Sequence, residues 1–281
     1  MSASLSLSST IKLSSGHAIP VIGFGVYHGN GEAVAHALRA GYRLIDTADF
    51  YNNEGDCGKA VRDFMAETGT PRSAIFYTTK LWNNNHGYTL TAKAIDEAIA
   101  RAGIDYIDLY LIHSPLTSSE LRLGSWKAMQ DAVDAGKIKS IGVSNYGVHH
   151  LEELFTWDGF RIPPAVNQVE LHPWLARKDL VDYCRSKGIL MEAYCPVTRG
   201  VRFGEPAVVE LAAKHGVTPA QVLIRWSMQM GFVPLPKSNH EERIKVNLDV
   251  FGFDLDEDDM HKLDTGKYEP VAAWDPVTAP L

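Results

Sequence analysis

The chain has 281 residues, 45% of them apolar, a size that suits an α/β barrel better than a small open module. Its 27 Lys and Arg against 34 Asp and Glu give a net charge of −7 without a basic run, which argues against nucleic-acid and anionic-membrane partners. No apolar run nears the roughly 18 residues that span a bilayer, and Cys57, Cys184 and Cys195 form neither a CxxC nor a zinc pattern. The N-terminus (MSASLSLSST) lacks the basic and apolar regions of a signal peptide, so a cytoplasmic location is expected.

In chain order, residues 1–10 are Ser-rich and read as frayed. Residues 11–13 and 18–19 read as a small hairpin around a Ser-Ser-Gly-His turn. Residues 20–27 (PVIGFGVY) form the first buried strand, whose glycines imply close approach of backbone or ligand. Strands then follow at 43–46, 75–81, 107–112, 138–143, 165–169, 189–194 and 232–236. The helices between and after them fall at 31–40, 55–67, 89–102, 121–135, 148–155, 178–187, 206–215, 219–230 and 241–248, and an added helix at 256–264 opens on a run of acids that suits the macrodipole. Eight short apolar strands alternating with helices, without a composition break, predict a single closed (β/α)8 barrel domain over residues 1–281. An open nucleotide-binding sheet would carry a Gly-rich turn opening a helix, and the segment Gly23-Phe-Gly25-Val-Tyr-His lacks the third glycine.

Such a barrel turns the C-terminal strand ends toward its active site. Three successive ends carry Asp46, Lys80 and His113, 34 and 33 residues apart, and Tyr51 follows on the loop after Asp46. Later ends carry Ser144, Asn145, Asn167, Gln168, Glu170, His172, Tyr194, Lys237 and Ser238. A phenol titrates near 10, too high for efficient proton transfer at neutral pH. A buried ammonium lowers that value, and a carboxylate holds the ammonium charged. Tyr51, Lys80 and Asp46 make such a chain, and His113 is placed to orient a carbonyl oxygen, which together describe acid catalysis of carbonyl reduction with a cofactor hydride. Taken singly, each has a plainer explanation: the Asp a cap, the His a satisfied core residue, the Lys–Asp pair architecture. Their shared position on successive strands is what favours chemistry. Metal binding is the weaker rival, because His113 and His172 lie on different strands and Asp46 is claimed by Lys80.

The motifs IDTADFYNNE, FYTTKLW, DLYLIHSP, IGVSNY, AVNQVELHP, AYCP and LPKSNHEERIKVN, in that order, resemble the aldo-keto reductases. The resemblance implies a barrel with an N-terminal hairpin and an added C-terminal helix that binds NADPH in extended form. It also implies Tyr51 as general acid, Lys80 and Asp46 tuning it, and His113 positioning the substrate. Ser144, Asn145 and Gln168 would hold the nicotinamide carboxamide, and Tyr194 would stack on the ring. Lys237, Ser238 and Arg243 would clamp the 2′-phosphate, with Asn239, Asn247 and Gly25 as further cofactor contacts. The Lys237-Ser238-Asn239 tripeptide is similar to that of xylose reductases, some of which accept NADH, so NADH is the weaker alternative. Tyr27, Phe50, Trp82 and Trp274 are expected to wall the substrate pocket, with Trp274 on a tail that either covers the mouth or packs outside. Ser114, standing where many members carry an aromatic, is expected to widen that pocket, and the short loop after Lys80 to leave it broadly specific. Gln221 and Arg225 read as structural. Reduction of aldehydes and ketones by a monomer is the expected activity, against a cofactor-holding regulatory protein or a conjugated C=C reductase; His113, where the latter relatives carry Glu, ranks that last.

Overall fold

The structure is a computed structural model that describes residues 5–281; the first four residues of the Ser-rich N-terminus lie outside the described residues. A hairpin of β1 (Thr10–Lys12) and β2 (Ala18–Pro20), antiparallel with Ile11 opposite Ile19, precedes the barrel. The chain then runs β3 (Phe24–Gly25), α1 (Gly31–Ala40), β4 (Leu44–Asp46), α2 (Glu54–Thr68), β5 (Phe76–Leu81), α3 (Tyr88–Ala102) and β6 (Ile107–Ile112). It continues through α4 (Ser119–Asp134), β7 (Ile138–Ser144), α5 (Val148–Thr156), β8 (Val166–Glu170), α6 (Lys178–Ser186) and β9 (Leu190–Tyr194). Last come α7 (Pro206–His215), α8 (Pro219–Gln229), β10 (Val233–Pro234), α9 (Glu241–Leu248) and the added α10 (Glu257–Leu263).

Strands β3 to β10 form one parallel sheet in sequential order. Two further hydrogen bonds, Gly23 N–H to Pro234 C=O (3.0 Å) and Gly25 N–H to Pro236 C=O (3.1 Å), close it into a (β/α)8 barrel. The end strands are shorter than the sequence predicts, and composition explains this. Pro234 and Pro236 have no N–H to give back across the seam, so the rungs run one way only. The glycines facing them are steric: a Cβ on Gly23 would meet Leu44 and Leu235 side-chain carbons at 2.5–2.6 Å, and one on Gly25 would come 3.2 Å from the Leu235 carbonyl oxygen.

Side chains alternate across each strand, and the two phases meet different surroundings. One phase packs on the helices in the main core. The other points inward, where Leu44, Phe76, Leu109, Leu111, Val166, Leu190, Val233 and Leu235 pack with Leu13 and Ile19 of the hairpin, which plugs the bottom of the barrel. Two or four residues further along in that same phase come Asp46, Lys80, His113, Gln168, Glu192 and Tyr194. The apolar lower barrel thus places a polar layer above it.

Candidate active site

Asp46 ends β4 and Lys80 lies in β5, and the paired register of these strands brings them together. Lys80 Nζ donates to Asp46 Oδ1 (2.6 Å) and to the Thr47 carbonyl (2.8 Å), with both residues almost wholly buried. Tyr51 sits on the single helical turn Asp49–Tyr51, its ring centroid 5.3 Å from Lys80 Nζ and 5.7 Å from that of the His113 ring, edge on. That turn is braced from three sides. Asn53 donates to the Val26 and Gly29 carbonyls and accepts from Thr47 Oγ1; Asp49 receives Arg101 and Asn85; Arg101 also holds Glu54.

Electrostatics depart from the sequence expectation at Tyr51. Burial raises its pKa well above the ordinary phenol value and the Asp46 carboxylate adds to this; Lys80 does not bring it down, because its charge is matched by Asp46 at 2.6 Å. The phenol therefore carries its proton at neutral pH, and the neighbouring ammonium can act only on a phenolate as it forms. His113 is held well below the usual imidazole range, first by burial and then by Lys80, so it is neutral with a single N–H. Its Nδ1 has no hydrogen-bond partner among the described residues.

A second polar group flanks this one. Ser144 Oγ donates to the Gln168 carbonyl (2.8 Å), Asn145 Nδ2 to the His113 carbonyl (2.9 Å), and Tyr194 Oη to Asn145 Oδ1 (2.9 Å). Asn145 adopts a left-handed backbone (φ 62°), a conformation asparagine tolerates better than most residues. Gln168 Nε2 donates to Asp46 Oδ2 (2.8 Å) and to Glu192 Oε2 (3.0 Å). Further round, Lys237 is half-buried, and burial alone lowers its pKa, with no carboxylate among the described residues offsetting the loss of water. Ser238 is buried, and its Oγ accepts the His240 N–H. Arg243 is exposed on α9, where the nearby Glu241 is taken by His36 and Lys245. Asn239 is exposed and donates to the His28 carbonyl, and Asn247 is buried on the inner face of α9. Lys237 and Arg243 thus leave cationic charge beside β10 and α9 that suits a phosphate. Gly25 belongs to the closing seam, where the Leu235 backbone accounts for the missing side chain.

Above the tetrad lies an aromatic rim. Phe50 stacks on Trp82 (centroids 4.0 Å, 23°), and Trp82 meets His113 edge on at 5.1 Å. Tyr27 lies 5.0 Å from Tyr51. Trp274 stands 6.0 Å from His113 and 6.2 Å from Trp82, so the tail covers the mouth. The tail is pinned there: Glu170 accepts the Val271 and Ala272 N–H groups, Arg177 donates to Asp275 and Tyr268, and His149 meets the Ala279 carbonyl. Ser114, expected to widen the pocket, lies beneath its surface. It is fully buried, and its hydroxyl is spent on Asn83 Oδ1 (2.7 Å) in the loop after β5. Gln221 and Arg225 are structural as expected: Gln221 completes a capping box with Thr218 and donates to the Asp249 carbonyl, and Arg225 binds the Val250 carbonyl and Asp254.

The sequence model of the Aldo/keto reductase family matches residues 29–266. An uncharacterised oxidoreductase of Schizosaccharomyces pombe is 43% identical over 279 residues, covering 98% of this chain and 100% of its own. Glyoxal reductase of Bacillus subtilis is 42% identical over 264 residues, 92% of this chain and 93% of its own. Among solved structures, an aldo-keto reductase from a deep-sea metagenome superposes with a TM-score of 0.87 at 40% identity, covering 92% of this chain and 95% of that one. The aldose reductase of Schistosoma japonicum gives 0.86 at 35% identity, covering 92% of each chain. With the family model and these relatives matching along most of its length, the chain belongs to the aldo/keto reductase family.

Proposed function

We propose that this oxidoreductase is an NADPH-dependent carbonyl reductase of aldehydes and ketones, α-keto esters and 1,2-dicarbonyls among them, working as a cytoplasmic monomer. The observation that carries this reading is the convergence of Asp46, Tyr51, Lys80 and His113 under an aromatic rim. A reduced nicotinamide, when bound, supplies the hydride that reaches the carbonyl carbon. Ser144, Asn145 and Gln168 would hold its carboxamide and Tyr194 its ring face, while Lys237, Ser238, Asn239, Arg243 and Asn247 serve the adenosine end. The neutral His113 donates to the carbonyl oxygen and fixes the substrate. Tyr51 Oη gives that oxygen its proton, leaving a phenolate that Lys80 stabilises, and the product is the alcohol.

The direct test follows loss of reduced-nicotinamide absorbance with NADPH or NADH against an aromatic aldehyde, an α-keto ester, a pentose and a 1,2-dicarbonyl. Consumption with NADPH on several of them supports the reading; cofactor binding without consumption on any would overturn it in favour of a regulatory role.

Two variants probe its parts. Arg243→Ala is expected to raise the KM for NADPH about ten- to a hundredfold while leaving that for NADH within about threefold, since only the former presents a 2′-phosphate. Equal losses would place the phosphate elsewhere. Trp274→Ala is expected to raise KM for the aromatic aldehyde about five- to thirtyfold, by loss of a ring that packs over the mouth, and to leave a two-carbon dicarbonyl nearly unaffected. A uniform change in both would show that Trp274 acts on fold rather than on substrate.

A further inference from the structure

Glu192 lies in the barrel interior two residues below Tyr194 on β9, in the same inward phase. It is fully buried, flanked in register by Gln168 on β8 and the apolar Val233 on β10. Its Oε2 accepts from Gln168 Nε2, and its Oε1 has no hydrogen-bond partner among the described residues. The charged groups that face it are Asp46 from β4 and Lys80 from β5. Two carboxyl groups therefore share one amide and one ammonium, and Lys80 is already paired with Asp46 at 2.6 Å.

This arrangement determines how Gln168 must stand. One amide nitrogen faces Asp46 Oδ2 at 2.8 Å and Glu192 Oε2 at 3.0 Å, so both of its hydrogens are committed inside the barrel. The reversed amide would set its oxygen against the Asp46 carboxylate. What remains is Oε1, an acceptor, which matches the NH₂ donor of a carboxamide. We propose that Glu192 is a positioning residue of the reduction, holding the Gln168 amide in this one orientation so that it supports Asp46 below and presents only its oxygen to the cofactor. The proposal rests on the nicotinamide reading above, and it gives a role to a buried acid that the tetrad does not use.

A neutral carboxyl suits the task. Burial pushes Glu192 up to about 8, with Asp46 adding to the rise and Gln168 and Lys80 opposing it. As pH rises through that value, a second negative charge forms beside Asp46, draws on the field of Lys80, and leaves less of it for the nascent Tyr51 phenolate. Reduction should therefore slow as Glu192 ionises.

The test uses the full chain with Glu192→Leu and Glu192→Gln. Leucine fills the space without an acceptor. NADPH affinity, read by quenching of intrinsic fluorescence, should then fall about ten- to a hundredfold, and kcat with an aromatic aldehyde should fall too. Glutamine restores an acceptor without a titrating proton and should recover both to within about threefold at neutral pH. The wild-type kcat/KM should step down near pH 8, and Glu192→Gln should lack the step. Wild-type affinity in Glu192→Leu, or the same step in Glu192→Gln, would overturn the proposal. Should circular dichroism show Glu192→Leu unfolded, the pH profile of Glu192→Gln decides alone. A wild-type protein that binds NADPH but reduces nothing would refute the catalytic reading, while the affinity comparison would still decide on Glu192.

Discussion

Tyr51→Phe is expected to cut carbonyl reduction by about a thousandfold or more, within the range that general acids contribute, while NADPH affinity stays within about twofold. The phenol keeps its proton at neutral pH, because burial and the Asp46 carboxylate raise its pKa. Phenylalanine therefore loses one dissociable proton and a hydroxyl, but keeps the ring that packs edge on to His113 and 5.0 Å from Tyr27. Single-turnover decay of bound NADPH with an aromatic aldehyde separates chemistry from binding. Retained turnover would remove Tyr51 as the acid. His113 could not take over as an imidazolium, since burial and Lys80 hold it neutral across the working pH range.

Lys80→Met combines a catalytic loss with a structural one. Among the described residues, Asp46 then keeps only the Gln168 amide as a hydrogen-bonding side-chain partner, in a pocket where it is 3% exposed. Breaking a buried pair by removing one partner costs about 3–5 kcal/mol, so thermal unfolding should begin well below that of the wild type, with activity lost as well. The double variant Lys80→Met with Asp46→Leu should regain much of the stability and none of the activity. Recovery of stability measured by thermal melting, against continued absence of NADPH oxidation, would show that the charge pair serves the reaction and not the fold. Full stability in the single variant would mean that water or another group solvates Asp46.

Much of this was legible in the sequence because a parallel barrel writes itself as apolar runs with polar ends. The meeting of Asp46, Lys80 and His113 follows from strand position alone, the hairpin from its turn, and the structure brings Trp274 to them. Glu192 sits two residues below its strand end, where the pattern of polar ends carries no signal. The phase of Leu190, Glu192 and Tyr194 was the available signal. The surroundings of Ser114 are not legible for a different reason: a small side chain beside His113 reads as empty space, and only the fold shows the Asn83 side chain meeting it. The Tyr51 pKa is raised where the neighbouring ammonium alone implies lowering, because burial and the Asp46 carboxylate outweigh it. The short β3 and β10 reflect prolines whose missing N–H groups matter only once the strands are known to face each other.

That proline seam makes the barrel mechanically lopsided. Asp46, Lys80 and the approach to His113 stand on β4, β5 and β6, joined by continuous ladders of three and four paired positions. Lys237, Ser238 and α9 hang instead from the side where carbonyls accept but proline nitrogens return nothing. The proposed reacting groups thus stand on the continuously paired wall, and the residues proposed to grip a nucleotide tail on the one with the interrupted seam. On the proposed reading, a cofactor would be admitted and let go at the wall with fewer rungs while the other keeps its registration.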